Sequence, residues 1–181
     1  MKLELALAQW ITTKISILHV FKDELAHAAA GYPYPLVLIT EIDARRKQFG
    51  TGSHDDVIVT DSVSTERKWW GFERTLRFTV RAPADKQQDG NTIVRGICDS
   101  IDTELQMLIR SGAFDLSVEN DSVHVAMANH AGFHELPAIT DKLPFVYQRA
   151  LSWRFLEVTM QQWNGIPAIT KVNFALGATD E

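Results

Sequence analysis

A single cysteine, Cys98, among 181 residues means that no disulfide can form within the chain, which suits a reducing compartment. No uninterrupted apolar run approaches the ~18–20 residues that span a bilayer. Cations are outnumbered, 18 Lys+Arg against 23 Asp+Glu for a net charge of −5. That balance argues against a dedicated nucleic-acid binder, which carries a basic surplus. The amino-terminal apolar stretch is broken by Glu4, Gln9, Thr12, Thr13 and Lys14, and no small-residue cleavage site follows it cleanly, so it does not read as a secretory signal. The expectation is a soluble, intracellular protein of single-domain size.

Catalytic patterns are equally scarce. Cys98 sits in an apolar-periodic segment with no base nearby, and reads as a small buried hydrophobe rather than a nucleophile. "GTG" (50–52) lacks the lysine and serine/threonine of a phosphate-binding loop. "SHDD" (53–56) has the residue types of a hydrolase, but a loop is a poor scaffold for a triad. His130 and His134 are four apart and followed by Glu135, a spacing that binds metal when a helix presents both histidines on one face. Gly132 between them and Pro137 after them argue against a helix, and structural zinc wants four ligands. His124 lies on the parity opposite Val123 and Val125 and faces solvent. No metal, cofactor or catalytic residue is expected. A metal-dependent enzyme using His130, His134 and Glu135 stands as an alternative.

What is present is periodicity. Apolar residues at Leu7, Ile11, Ile15, Leu18, Phe21, Leu25 and Ala28 trace one helical stripe, ended by Gly31 and the prolines at 33 and 35. "LVLITEI" (36–42) is rich in β-branched residues and predicts a strand. "DARRKQFGTGSHDD" (43–56) reads as a charged loop, long for a compact domain, and "VIVTDSVS" (57–64) as a short strand. In "ERKWWGFERTLRFTVRAPAD" (66–85), Trp70, Phe72, Leu76, Phe78 and Val80 alternate with Glu73, Thr75, Arg77, Thr79 and Arg81. That is the period of a half-buried strand. Arg74 breaks the pattern, through a bulge or by snorkelling to the sheet margin.

A helix follows, with Asp89 or Asn91 as its cap. Ile93, Ile97, Ile101, Leu105 and Leu108 form its inner stripe, widened by Val94, Cys98 and Ile109, while Arg95, Asp99, Asp102 and Gln106 face out. "FDLSVE" and "SVHVAMA" form a hairpin about Asn120-Asp121. Residues 129–144 read as irregular, and "FVYQRALSWRFLEVTMQQW" (145–163) as a second long strand, broken by Gly165-Ile166-Pro167. Its apolar parity switches after Phe155, implying a bulge or burial on both faces. The fold class is α+β: a mainly antiparallel sheet with two main α-helices packed on one face. The expected domain covers residues 1–160, with 161–181 as an extension or edge strand.

Tryptophan usage adds a functional hint. Trp69, Trp70, Trp153 and Trp163 lie on or beside long strands, with Trp10 on the first helix. Neighbours on a strand face opposite sides, so Trp69 and Trp70 cannot both enter one core. The other tryptophan suits a protein–protein interface or a strand end tucked under the first helix. Arg45, Arg46 and Lys47 give limited affinity for nucleic acid and suit an intersubunit or solvated role.

A leading amphipathic helix, "YPYPLVLITEI", a charged loop, a long strand ending in "RAPAD", a helix and a final strand with "LSWRFLEV" together resemble phage tail terminator (tail completion) proteins, over residues 7–160. The resemblance implies a structural virion protein of the tail or neck, assembled in the host cytoplasm. It implies a homohexameric ring that caps the tail tube, ends its polymerisation and offers the head-joining surface. Its partners would be its own copies, the tail tube protein and a neck or head-completion protein. DNA can pass through such a ring without specific recognition. Glu73, Arg77 and Arg81 would face a neighbouring subunit or the lumen, beside Trp69, Trp70 and the Arg45–Lys47 run. Another neck, connector or tube ring protein, and a host binding module using the 43–56 loop, remain as alternatives.

Overall fold

The computed structural model describes residues 2–15, 20–21, 34–48, 56–60, 63–83, 89–118, 121–140 and 145–167. The chain opens with helix α1 (Lys2–Ile15). Leu3, Leu7 and Ile11 recur every four residues and are wholly buried. Glu4 in the first turn and Lys14 in the last complement the helix dipole. The expected stripe continued to Ala28, but the helix ends at Ile15, and Val20 and Phe21 instead form strand β1 (Val20–Phe21). Ile11, Thr12, Thr13 and Ile15 are stiff at χ1 and weaken the last turn. Val20 and Phe21 take a parallel seat on Val37 and Leu38. The stripe's later positions, Leu25 and Ala28, lie outside the described residues.

Among the described residues six further strands and one helix follow: β2 (Leu36–Gln48), β3 (Asp56–Thr60), β4 (Val63–Pro83), α2 (Gly90–Arg110), β5 (Phe114–Val118), β6 (Asp121–Glu135) and β7 (Val146–Pro167). They form one seven-stranded sheet in the order β1-β2-β4-β7-β6-β5, with β3 pairing β4 off that path. The sheet is mainly antiparallel and both helices pack on one face, so the fold is α+β as expected. The chain divides into two compact units. One comprises Met1–Lys47 and Gly71–Thr159, the other Gln48–Trp70 and Met160–Glu181. The first holds both helices and the core. The second holds β3 paired antiparallel with the start of β4, from Asp56↔Arg67 to Thr60↔Val63.

The core follows strand parity. Leu76, Phe78, Val80 and Ala82 of β4 line up with Leu151, Trp153 and Phe155 of β7 and with Val37 and Ile39 of β2. Phe114 and Leu116 of β5, then Val123, Val125 and Ala128 of β6, complete that face. Helix α2 covers it with Val94, Cys98, Ile101 and Leu105. This stripe is rotated from the expected one: Ile93, Ile97 and Leu108 are only half-buried, and Asp102 turns inward to accept a hydrogen bond from the Trp153 indole. Asp89 occupies the N-cap position, but its side chain makes no capping bond.

Four segments differ from expectation. Residues 43–48 are strand, not loop, because β2 continues along β4 after its apolar alternation ends. Residues 129–135 are strand too. β6 carries register shifts between Val125 and Met127 and between His130 and Gly132, and these bulges disrupt the period-two pattern a strand normally displays. Gly132 at the second bulge has φ +125°, a conformation that favours glycine. β7 runs through Gly165 to Pro167 rather than stopping before them. Its parity switch comes from burial on both faces, with Leu156 and Val158 half-buried opposite Phe155. The hairpin pairs Val118 with Asp121, so its two connecting residues are 119 and 120, one earlier than expected.

Candidate functional site

The expected interface residues fall into three places. Arg45 and Arg46 stand on the exposed continuation of β2, where every residue from Thr40 to Arg46 is exposed. Arg45 Nε lies 3.0 Å from Asp43 Oδ2, two residues back on the same face. A pair this open to water adds little stability. The side chains of Lys47 and Trp69 lie outside the described residues, and Trp70 is half-buried.

Glu73, Arg77 and Arg81 share the helix-free face of β4. Two of them have partners within the chain. Glu73 Oε1 lies 3.5 Å from Arg154 Nε. Arg81 Nε donates to Gln148 Oε1 at 3.2 Å, and the Gln148 amide donates to the Pro137 carbonyl at 2.7 Å. Arg77 differs: its Nε is buried and has no acceptor among the described residues. A buried donor left unsatisfied costs about 1–3 kcal/mol.

Arg74, the residue that broke the sequence pattern, is the centre of a charge cluster on the opposite face. It stays on the core side of β4, between Glu41 of β2 and Glu157 of β7. Its Nη1 donates to Glu41 Oε2 of β2 at 2.6 Å, and its Nε stands 2.9 Å from Glu157 Oε2 of β7, close but not aligned for a hydrogen bond. Burial alone would depress the Arg74 pKa, but the Glu41 hydrogen bond and the charges of Glu157, Glu41 and Glu4 hold it above its ordinary value. Glu4 of α1 is 6% exposed. Burial pushes its carboxyl pKa up, yet hydrogen bonds to the amino-terminal ammonium and to backbone, with the Arg74 charge, hold it below its usual value. Sequence reasoning missed this cluster because its four members are remote along the chain. The one signal was a cation on an apolar parity.

A second polar group sits between α2 and β6. Asp102 Oδ1 accepts from Trp153 Nε1 at 3.1 Å and Oδ2 from Gln106 Nε2 at 2.6 Å. His130 Nε2 is 3.7 Å from Asp102 Oδ1, and its ring packs on Phe133 and Trp153 at centroid distances of 4.9 and 5.7 Å. His134 faces the other side of β6, with Nε2 3.1 Å from Ser152 Oγ. Glu135 meets Arg149 at 3.4 Å and Arg95 at 3.6 Å. His130, His134 and Glu135 are therefore not brought together, and no metal-competent group of three occurs among the described residues. His124 is exposed, with Nδ1 2.8 Å from Asp115 Oδ1. Residues 50–55, including most of "SHDD", lie outside the described residues.

Cys98 is buried against the Arg149 carbonyl, and burial pushes its thiol up to about 12. Only the thiolate is reactive. Native protein at pH 8 should therefore leave Ellman's reagent essentially uncoloured, and release one equivalent of thiol only in denaturant. Rapid labelling of folded protein would contradict the burial.

No helix among the described residues is long and apolar enough to cross a membrane. No protein-family model matches the chain, and no curated protein matches it.

Proposed function

We propose that this chain is a ring-forming structural protein of a tailed phage, which caps the tail tube, ends its polymerisation and offers the surface that joins the head. The observation that carries this reading is the mismatch between strand and core. β4 has 21 residues and β7 has 22, and among the described side chains Leu76, Phe78, Val80 and Ala82 of the one, and Leu151, Trp153 and Phe155 of the other, enter the core cluster of buried residues. A typical strand has five or six residues. Strand that exceeds its own core needs other surfaces to cover it, and sister copies are the simplest source.

Arg77 stands half-buried on the helix-free face of β4, between Glu73 and Arg81. Mixed charges on that face, Glu73 with Arg77 and Arg81, would fix register between copies more than they add affinity. A heterologous contact closes into a ring when its rotation divides a full turn. The ring would be a hexamer in the virion tail or neck, contacting the tail tube protein below and a neck or head-completion protein above, with DNA passing through. No residue acts as a catalyst.

Electron micrographs of phage particles made without this gene product test the reading. Over-long or headless tails are expected. Normal virions would overturn it, and absent tubes would assign the chain to the tube itself.

A further inference from the structure

We infer that the exposed continuation of β2 is a self-complementary docking strand, which pairs antiparallel with the same strand of a second copy about a twofold axis at Ala44. This contact is separate from the head-to-tail contact that a ring needs, so the two readings stand or fall independently.

The first support is an open edge. Among the described residues β2 is paired on its outer side only by β1, at Val37 and Leu38. Beyond them no described strand lies on that edge, and the residues from Thr40 to Arg46 are exposed, Glu41 while bonded to Arg74. Such an edge presents unused N–H and C=O groups to any incoming strand.

The second support is the order of charges, which identifies the incoming strand. Residues 41–47 read Glu-Ile-Asp-Ala-Arg-Arg-Lys, acidic before Ala44 and basic after it. Antiparallel pairing centred on Ala44 sets each residue opposite the one equally far beyond the centre, on the same face. Asp43 then meets Arg45 of the second copy, twice, while Glu41 stays with Arg74 of its own chain. On the other face Ile42, 47% exposed in the single chain, meets Arg46, whose apolar stem covers it. Small Ala44 meets itself, where a larger residue would crowd the axis. Parallel in-register pairing would set like charges opposite one another and is disfavoured. Charges that merely protect an edge from pairing need no such antisymmetry.

Asp43 and Arg45 already approach within one chain. In the pair they form a four-charge group, so the contact is continuous with an arrangement the single chain holds. Helix-bound core residues are untouched, which lets the strand be altered without unfolding the domain.

Two measurements on the full chain test the inference. In the first, Ala44→Cys and Arg46→Cys proteins are oxidised with glutathione and run on non-reducing gels. Ala44→Cys should give a disulfide-linked dimer and the parent protein none. Arg46→Cys should give little, because antiparallel strands place residue 46 about 13 Å from its own copy. Equal dimer from both cysteine variants, or none from Ala44→Cys, overturns the pairing. In the second, sedimentation gives the dimer dissociation constant. Asp43→Arg and Arg45→Asp should each weaken it roughly 30-fold by setting like charges opposite, and the double exchange should restore it to within about threefold. Failure of the double exchange to restore association overturns the inference, as does a parent protein that stays at 20.4 kDa at every concentration.

Discussion

Replacing Trp153 by alanine is expected to destabilise the domain by about 3–5 kcal/mol, the range for emptying a large aromatic site. Trp153 is 2% exposed on the central strand β7 and packs against Phe155 with ring centroids 6.4 Å apart. It also donates the indole N–H that Asp102 accepts. Removing it leaves a void under α2 and withdraws one of the two hydrogen bonds that hold a largely covered carboxylate. In a chain of this length each kcal/mol shifts the melting midpoint by roughly 2–4 °C, so a fall of roughly 6–20 °C should be seen by circular dichroism. Trp153→Phe separates the two losses. It keeps most of the ring volume and forfeits the bond, and should cost about 1–3 kcal/mol. A Trp153→Ala protein with an unchanged urea midpoint would show that this face is not the core.

The second large effect should come from Arg74→Met. The methionine fits along the same path but leaves Glu4, Glu41 and Glu157 facing each other without their cation. Stripping one partner from a fully buried ion pair costs about 3–5 kcal/mol. Glu41 is a third exposed, and water screens part of the imbalance, so about 2–3 kcal/mol at pH 7 is expected. The pH dependence gives a sharper test. The Glu4 carboxyl is held below its ordinary 4.5 in the folded chain. It therefore contributes stability above its unfolded pKa, and that contribution is lost as pH falls through the lower folded value. In Arg74→Met one cause of that depression is gone, so the Glu4 carboxyl rises and gains from protonation at a higher pH. Parent and variant should differ most at pH 7 and converge as pH approaches about 4. A pH-independent gap would mean that Arg74 acts by packing alone.

Much of the architecture was legible because local pattern and tertiary role agree. In β4 the Leu76, Phe78, Val80 alternation predicts the buried face, and those residues are wholly buried. In α2 the helical period is unmistakable, although the true inner line runs through Val94, Cys98, Ile101 and Leu105. Asp102 was misplaced because polarity alone assigns a carboxylate to water, whereas the Trp153 indole gives it an inward partner. The end of β2 was hidden for a related reason. Strand there is sustained by pairing with β4 and not by burial, so the composition of residues 43–48 resembles a loop. Of the expected interface residues, Glu73 and Arg81 proved to be engaged within the chain, which no parity rule could reveal. Arg77 Nε is buried without an acceptor among the described residues, which the alternation of β4 did not suggest.

The two bulges of β6 carry an implication for how this gene tolerates insertion and loss. Each accommodates one surplus residue, Ala126 between Val125 and Met127, and Ala131 between His130 and Gly132. Elsewhere on a strand, deleting one residue would turn every later side chain inside out. At these alanines it would instead exchange a kinked ladder for a straight one, while Val125, Ala128 and Phe133 kept their orientation. Related chains one or two residues shorter along this strand would thus preserve the same interior, with their gaps falling at these alanines.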